Sequence, residues 1–141
     1  MEFHTLMQDN YEKYLTMINE LRNTEFTKEQ FCETLKYINT HGAVWIAIIR
    51  GEIVATATIL YEKKFMHNIC IYAHIEDICV KPGMRRGGIG KSIIKKVMDE
   101  AVRNKCYKIT LDCSDDNVQF YESCGLSCRG NQMCELIENI K

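Results

Sequence analysis

The sequence predicts a mixed α/β fold, a central mixed sheet with helices on both faces. Three observations carry that expectation. Two helix-periodic segments open the chain, β-branched and apolar runs fill its middle from Trp45 to Val80, and helix and strand patterns alternate after a glycine turn at residues 87–90. The expected order is α, α, β, β, β, β, α, β, α, β, within one domain spanning residues 1–141.

The first helix is expected near residues 8–22. Thr27-Lys28-Glu29-Gln30 then reads as a capping box leading into Phe31, Leu35 and Ile38 on one stripe. From Trp45 the period changes, and residues 45–50 and 53–60 flank Gly51-Glu52 as a hairpin. In the strand Cys70–Val80, Ile71, Ala73 and Ile75 alternate, but the next apolar residues are Ile78 and Val80. The inward set slips by one across Glu76-Asp77, which a β-bulge there would repair; a strand that ends at Glu76 and restarts is the alternative. Beyond the glycine turn, Ile89, Ile93, Ile94, Val97, Met98 and Ala101 trace one helical face, with Lys91, Lys95, Lys96, Asp99 and Glu100 pointing away. Tyr107, Ile109 and Leu111 alternate with Lys108, Thr110 and Asp112 as a further strand. Residues 114–117 supply caps for a short helix ending at Gly125, and a last strand is expected over Met133–Ile137.

Composition narrows the function. A chain of 141 residues, 46% hydrophobic and 26% charged, fits one ordinary globule, and its net charge of −1 argues against non-specific nucleic-acid binding. The expected partner is a small molecule. No apolar run approaches the ~18 residues of a membrane helix, and the start MEFHTLMQDNYEKY lacks the basic and apolar regions of a signal peptide. No membrane partner and a cytoplasmic location are therefore expected. None of the eight cysteines is spaced two residues from another, and His4, His41, His67 and His74 stand in no ligand-like register, so no metal is expected and the cysteines read as reduced, half-buried thiols.

The stretch MRRGGIGKSIIKK, residues 84–96, ends its glycine run in the last letters of a P-loop. A P-loop needs glycine five residues before Gly90, and Arg85 stands there. The remaining reading is a tight glycine turn opening a helix, whose free N–H groups and dipole hold a pyrophosphate. Residues 81–96 carry Lys81, Arg85, Arg86, Lys91, Lys95 and Lys96 and no acid, which suits a polyphosphate. Lys108-Ile109-Thr110-Leu111-Asp112 imitates the Mg²⁺-holding strand of P-loop enzymes, but Arg85 and the short chain count against that class.

Four strings in this order, HIEDICV (74–80), RRGGIGKSII (85–94), CYKITLDC (106–113) and NVQFYESCG (117–125), closely resemble glucosamine 6-phosphate N-acetyltransferases of the GNAT superfamily. EKKFMH before them resembles the same family, so the likeness covers residues 62–133. It implies a GNAT fold whose sheet is splayed by the bulge, and acetyl-CoA lying between the strand ending at Val80 and the strand ending at Cys113. The pyrophosphate would meet the backbone around Arg85, Arg86, Gly87, Gly88, Ile89, Gly90 and Lys91. The pantetheine arm would pair near Ile78, Cys79 and Val80 and touch Asn117, leaving the thioester beside Glu76 and Asp77. The bulge suits that place physically, because an unpaired N–H there can polarise a thioester carbonyl as it becomes an oxyanion. Tyr121 matches the family tyrosine that donates to the departing thiolate. By the same matching, Lys64, His67, Glu76, Asp77, Tyr107 and Lys108 would line the amino sugar phosphate pocket.

The resemblance implies direct acetyl transfer to glucosamine 6-phosphate for UDP-N-acetylglucosamine synthesis, in a homodimer. Two departures stand out. Leu136 occupies the position of a phosphate-binding arginine three residues after Met133, and Arg22 replaces a threonine near the end of the first helix. Arg22 or Lys64 is expected to supply the missing charge. The alternatives are acetylation of another amine (aminosugar, polyamine or protein) and a non-catalytic acetyl-CoA sensor; the intact Tyr121 and Glu76-Asp77 argue against the sensor.

Overall fold

The computed structural model describes residues 1–137 and divides the chain into two compact units, Met1–Leu111 and a second beginning at Asp112. The first holds strands β1 (Glu2–Thr5), β2 (Gly42–Ile49), β3 (Glu52–Lys64), β4 (Cys70–Val80) and β5 (Lys108–Thr110), with helices α1 (Tyr11–Asn19), α2 (Lys28–Asn39) and α3 (Ile89–Arg103). The strands lie in sequence order; β1 to β4 are antiparallel, and β4 pairs with β5 in parallel. The parallel pair requires a crossover, which α3 provides. The sheet is therefore mixed, as expected.

Helices cover both faces of this sheet. Trp45 and Ile46 are consecutive on β2 and point to opposite sides. Lys96 of α3 sits 4.3 Å from the centre of the Trp45 ring. On the other side Phe31 and Leu35 of α2 and Met17 of α1 are buried with Val44 and Ile46. Each of these side chains contributes about 1.5–3 kcal/mol by leaving water. The capping box forms reciprocally: Gln30 N–H donates to Thr27 Oγ1 at 3.1 Å, and Thr27 N–H donates to Gln30 Oε1 at 2.9 Å. The α3 face buries Ile89, Ile93, Ile94, Val97 and Ala101, leaving Met98 half-buried.

Several expectations are corrected. The first helix is shorter, a 3-10 turn at Gln8–Asn10 followed by α1, because the chain tightens to an i−3 bond from Leu21 N–H to the Ile18 carbonyl. β1 is absent from the sequence reading: it is an edge strand with only Phe3 half-buried, so it carries no alternating pattern. Three strands, not four, separate α2 from α3. The hairpin turns at Arg50-Gly51, one residue earlier, where φ is +51° and +79°, and Ile49 and Glu52 close it. A type I′ turn needs positive φ at both central residues. Glu100 is buried rather than outward, because Lys96 at 2.7 Å and Arg103 at 3.1 Å neutralise it.

The second unit holds a 3-10 turn at Asp115–Asn117 and helix α4 (Val118–Ser123). Gly125, at φ +99°, ends α4, with Leu126 N–H on the Tyr121 carbonyl and Gly125 N–H on that of Glu122. That pair of bonds is the glycine-terminated Schellman arrangement. The strand expected over Met133–Ile137 is not formed: the described residues of this unit include no strand for it to pair with, and Met133, Leu136 and Ile137 are exposed.

Candidate functional site

The bulge lies where the apolar pattern placed it. Thr58 pairs with Glu76 and Thr56 with Cys79, so Ala57 alone faces both Asp77 and Ile78. Asp77 takes up the extra residue in the left-handed region, at φ +48°. Before the bulge, β4 and β5 share three rungs, ending at His74↔Thr110. Beyond it, no strand of the first unit pairs with Ile78, Cys79 or Val80 on that side. β4 thus offers backbone groups along one edge, beside a kink that redirects its own.

Immediately after β4 the chain enters the glycine turn. Gly88 caps α3 from the left-handed region, at φ +82°, without a side-chain cap and without an acid in the first turn. A Cβ placed on Gly88 would stand in open space. The first N–H groups of α3 therefore face outward with the positive end of the helix dipole behind them. The surrounding cations separate into two sets. Lys81 pairs with Glu52 at 3.0 Å, Lys95 with Asp99 and Lys96 with Glu100, both at 2.7 Å. Among the described residues Arg85, Arg86 and Lys91 form no ion pair, which leaves them for a phosphate. Glycine corner, outward amides and unpaired cations together fit the pyrophosphate of acetyl-CoA.

On the face turned away from α3, β4 presents Tyr72, His74 and Glu76 in alternation. The His67 ring stacks on Tyr107 at 4.2 Å, and Tyr107 lies 5.9 Å from Tyr72. Lys64 Nζ at 4.8 Å and Lys108 Nζ at 4.6 Å both sit over the Tyr72 ring. Lys64, His67, Tyr107 and Lys108, separated by up to forty-four residues in the chain, therefore form one cluster with Glu76 on the same face. Along the strand, Glu76 and Tyr72 are about 13 Å apart.

Arg22 stands apart from that cluster. Burial and the Asp77 carboxylate push the Cys79 thiol up, while the nearby Arg22 and Arg85 guanidiniums pull it back. Arg22 thus lies beyond the bulge, toward the glycine turn. Asn117 and Tyr121 belong to the second unit; the Tyr121 ring packs edge-on against Phe120 at 5.0 Å, and the Asn117 amide donates to Ser114 Oγ at 3.2 Å.

Sequence reasoning gave no site role to Tyr72, Glu62, His74 or Thr110, which come together only through cross-strand register. It also missed Tyr14. Burial pushes the Tyr14 hydroxyl up to about 12, with the Thr56 side chain as its hydrogen-bond partner and Asp77 and Cys79 close by. Thr56 in turn donates to the Trp45 carbonyl at 3.0 Å, so α1 braces β3 opposite the bulge. A polar Thr56-Ala57-Thr58 in an otherwise apolar strand is the signal that could have pointed there.

Comparisons with known proteins identify the family. The profile of the Acetyltransferase (GNAT) family matches residues 3–126. Glucosamine 6-phosphate N-acetyltransferase 1 of Dictyostelium discoideum is 35% identical over 139 residues, covering 94% of this chain and 88% of that protein. The Arabidopsis thaliana glucosamine 6-phosphate N-acetyltransferase is 31% identical, covering 94% and 93%. A crystal structure of the Arabidopsis enzyme superposes with a TM-score of 0.91 at 30% identity, covering 97% of this chain and 98% of that one. An acetyltransferase from Trypanosoma brucei, at 24% identity and a TM-score of 0.90, shares the fold. The chain belongs to the acetyltransferase (GNAT) family and, within it, to the glucosamine 6-phosphate N-acetyltransferases.

Proposed function

We infer that this chain transfers the acetyl group of acetyl-CoA to the amine of glucosamine 6-phosphate, releasing coenzyme A. The observation that carries the reading is the single sheet face that sets a lysine pair on the Tyr72 ring about 13 Å from the bulge. With the reach of two lysines, a sugar phosphate spans that interval, its phosphate on Lys64 and Lys108 and its amine at Glu76-Asp77. A dianion needs cationic hydrogen-bond donors, and two ammonium groups over one ring supply them. This assigns to Lys64 and Lys108 the charge that Leu136 does not provide, and leaves Arg22 with Arg85 at the cofactor end.

The backbone of Ile78–Val80 holds the pantetheine arm, and Arg85, Arg86 and Lys91 with the amides of Gly87–Gly90 hold the pyrophosphate. The bulge amide polarises the thioester carbonyl, Glu76 and Asp77 orient the amine, and positioning lowers the barrier to direct attack. Tyr121 protonates the departing thiolate and Asn117 contacts the arm, roles that rest on the motif NVQFYESCG. That residues 1–141 act as one domain is part of the proposal, supported by a family match that crosses the boundary at Asp112. So are a homodimer, a cytoplasmic location and supply of UDP-N-acetylglucosamine synthesis. Among the described residues no helix is long and apolar enough to cross a membrane.

Release of free coenzyme A, measured with acetyl-CoA and a panel of glucosamine 6-phosphate, glucosamine, spermidine and a peptide amine, tests the assignment. Turnover is expected with the phosphorylated sugar foremost. Preference for spermidine or the peptide would overturn it.

A further inference from the structure

Resting on that reading, we propose that Thr110, His74 and Glu62 form the path by which the acceptor's ammonium loses its proton. The three residues come from β5, β4 and β3 and meet on the cluster's face. His74 Nε2 lies 2.9 Å from Glu62 Oε1, and His74 Nδ1 lies 2.9 Å from Thr110 Oγ1. An ionised carboxylate only accepts, so Nε2 carries the hydrogen of the neutral imidazole. Nδ1 is then a bare acceptor, and the Thr110 hydroxyl donates to it. The carboxyl of Glu62 is held below the ordinary carboxylate range by His74 and Lys64, which keeps it ionised at neutral pH. Hydroxyl, imidazole and carboxylate in series are the constellation that moves protons in acyl-transfer enzymes.

Location argues for the path over a plain structural clamp. His74↔Thr110 is the last rung before the strands separate, and Glu76 follows on the same face about 7 Å further along β4. The His74 side chain retains 32% of its accessibility, so it can pass a proton to water; a clamp has no need of that opening. The charged and titratable groups facing it are Glu62 and Lys64 from β3, Tyr72 and Glu76 from β4, and Lys108 from β5. In the step itself, the ammonium N–H bond breaks toward Thr110 Oγ1. The Thr110 hydroxyl proton passes to His74 Nδ1, and the resulting imidazolium is stabilised by Glu62 until water takes the proton. The freed amine attacks the thioester carbonyl. No residue is acylated, and one proton leaves per acetyl transferred.

The test is the pH dependence of kcat/KM for glucosamine 6-phosphate in the wild type, T110V, T110S, H74Q and E62Q, with circular dichroism checking each fold. H74Q and T110V are expected to lose kcat by about 10²-fold, as general acid–base assistance does. KM for acetyl-CoA should be unchanged, and T110S should recover what T110V loses. The fall in rate on the acid side should change shape in H74Q, because an amide cannot take up the proton that the imidazole relays. Folded H74Q and T110V enzymes with wild-type kcat and pH profile would overturn the path and leave a clamp. A wild type that prefers another amine would overturn the substrate reading instead, and the same variants assayed on that amine would still decide the path.

Discussion

The two ends of β4 are built by different means. Past the bulge, the glycine turn offers the first amides of α3, open space at Gly88 and the cations Arg85, Arg86 and Lys91, which form no ion pair among the described residues. Before the bulge, the site is made of side chains that hold one another: His67 on Tyr107, two lysines on Tyr72, Glu62 on His74 and Lys64. A backbone site serves any ligand that carries the same diphosphate. A side-chain site selects, and removing one member disturbs the others.

Breaking the backbone end gives the largest expected effect. Gly88→Val places a β-branched residue at φ +82°, a local strain of about 1–3 kcal/mol, and fills the space above the amides. Losing two charged hydrogen bonds to the pyrophosphate weakens acetyl-CoA by at least about 10²-fold. Calorimetric titration of the folded variant checks this; unchanged affinity would remove the cradle from the account. Next in size, Tyr121→Phe should lower kcat by about 10²-fold with KM for acetyl-CoA nearly unchanged, because a hydroxyl matters most as charge grows on sulfur. Stopped turnover assays measure both constants, and a normal kcat would leave Tyr121 a packing residue.

The smallest effect sharpens the contrast from the side-chain end. The Glu62 carboxyl is held down by hydrogen bonds from His74 and Lys64. A folded-state pKa below the unfolded one stabilises the fold above the ordinary glutamate value of about 4.3, and that stabilisation is lost as the pH falls through the folded value. Glu62 is exposed, so the contribution is small. Urea unfolding of the wild type and E62Q at pH 7 and about pH 3.5 should show a difference at neutral pH that closes in acid. A difference that persists in acid would mean that the ion pairs are not its source.

What could be read in the sequence follows the same division. The glycine turn, the capping box and the bulge were legible because each is a local pattern: a spacing of glycines, a Thr-to-Gln interval, a slip in alternation across Glu76-Asp77. β1 was not legible, since its pairing with β2 leaves only Phe3 half-buried and period-two hydrophobicity never appears. Conversely Met133–Ile137 has strand-like composition, but propensity without a neighbouring strand makes no ladder. Resemblance supplied Lys64, His67, Tyr107 and Lys108. The residues that join them, Tyr72, His74, Glu62 and Thr110, become neighbours only through the registers Glu62↔Tyr72↔Lys108 and His74↔Thr110.

The most direct measurement is the ratio of kcat/KM for glucosamine 6-phosphate over glucosamine, in the wild type and in the K64A/K108A double variant. Each charged hydrogen bond to the phosphate is worth ~1.5–3 kcal/mol, about 10- to 150-fold. The wild type should therefore favour the phosphorylated sugar by at least that factor, and the double variant should use the two sugars nearly alike. Equal use of both sugars by the wild type, or a preference that survives in the folded double variant, would contradict the assignment of the lysine pair on Tyr72 to the phosphate.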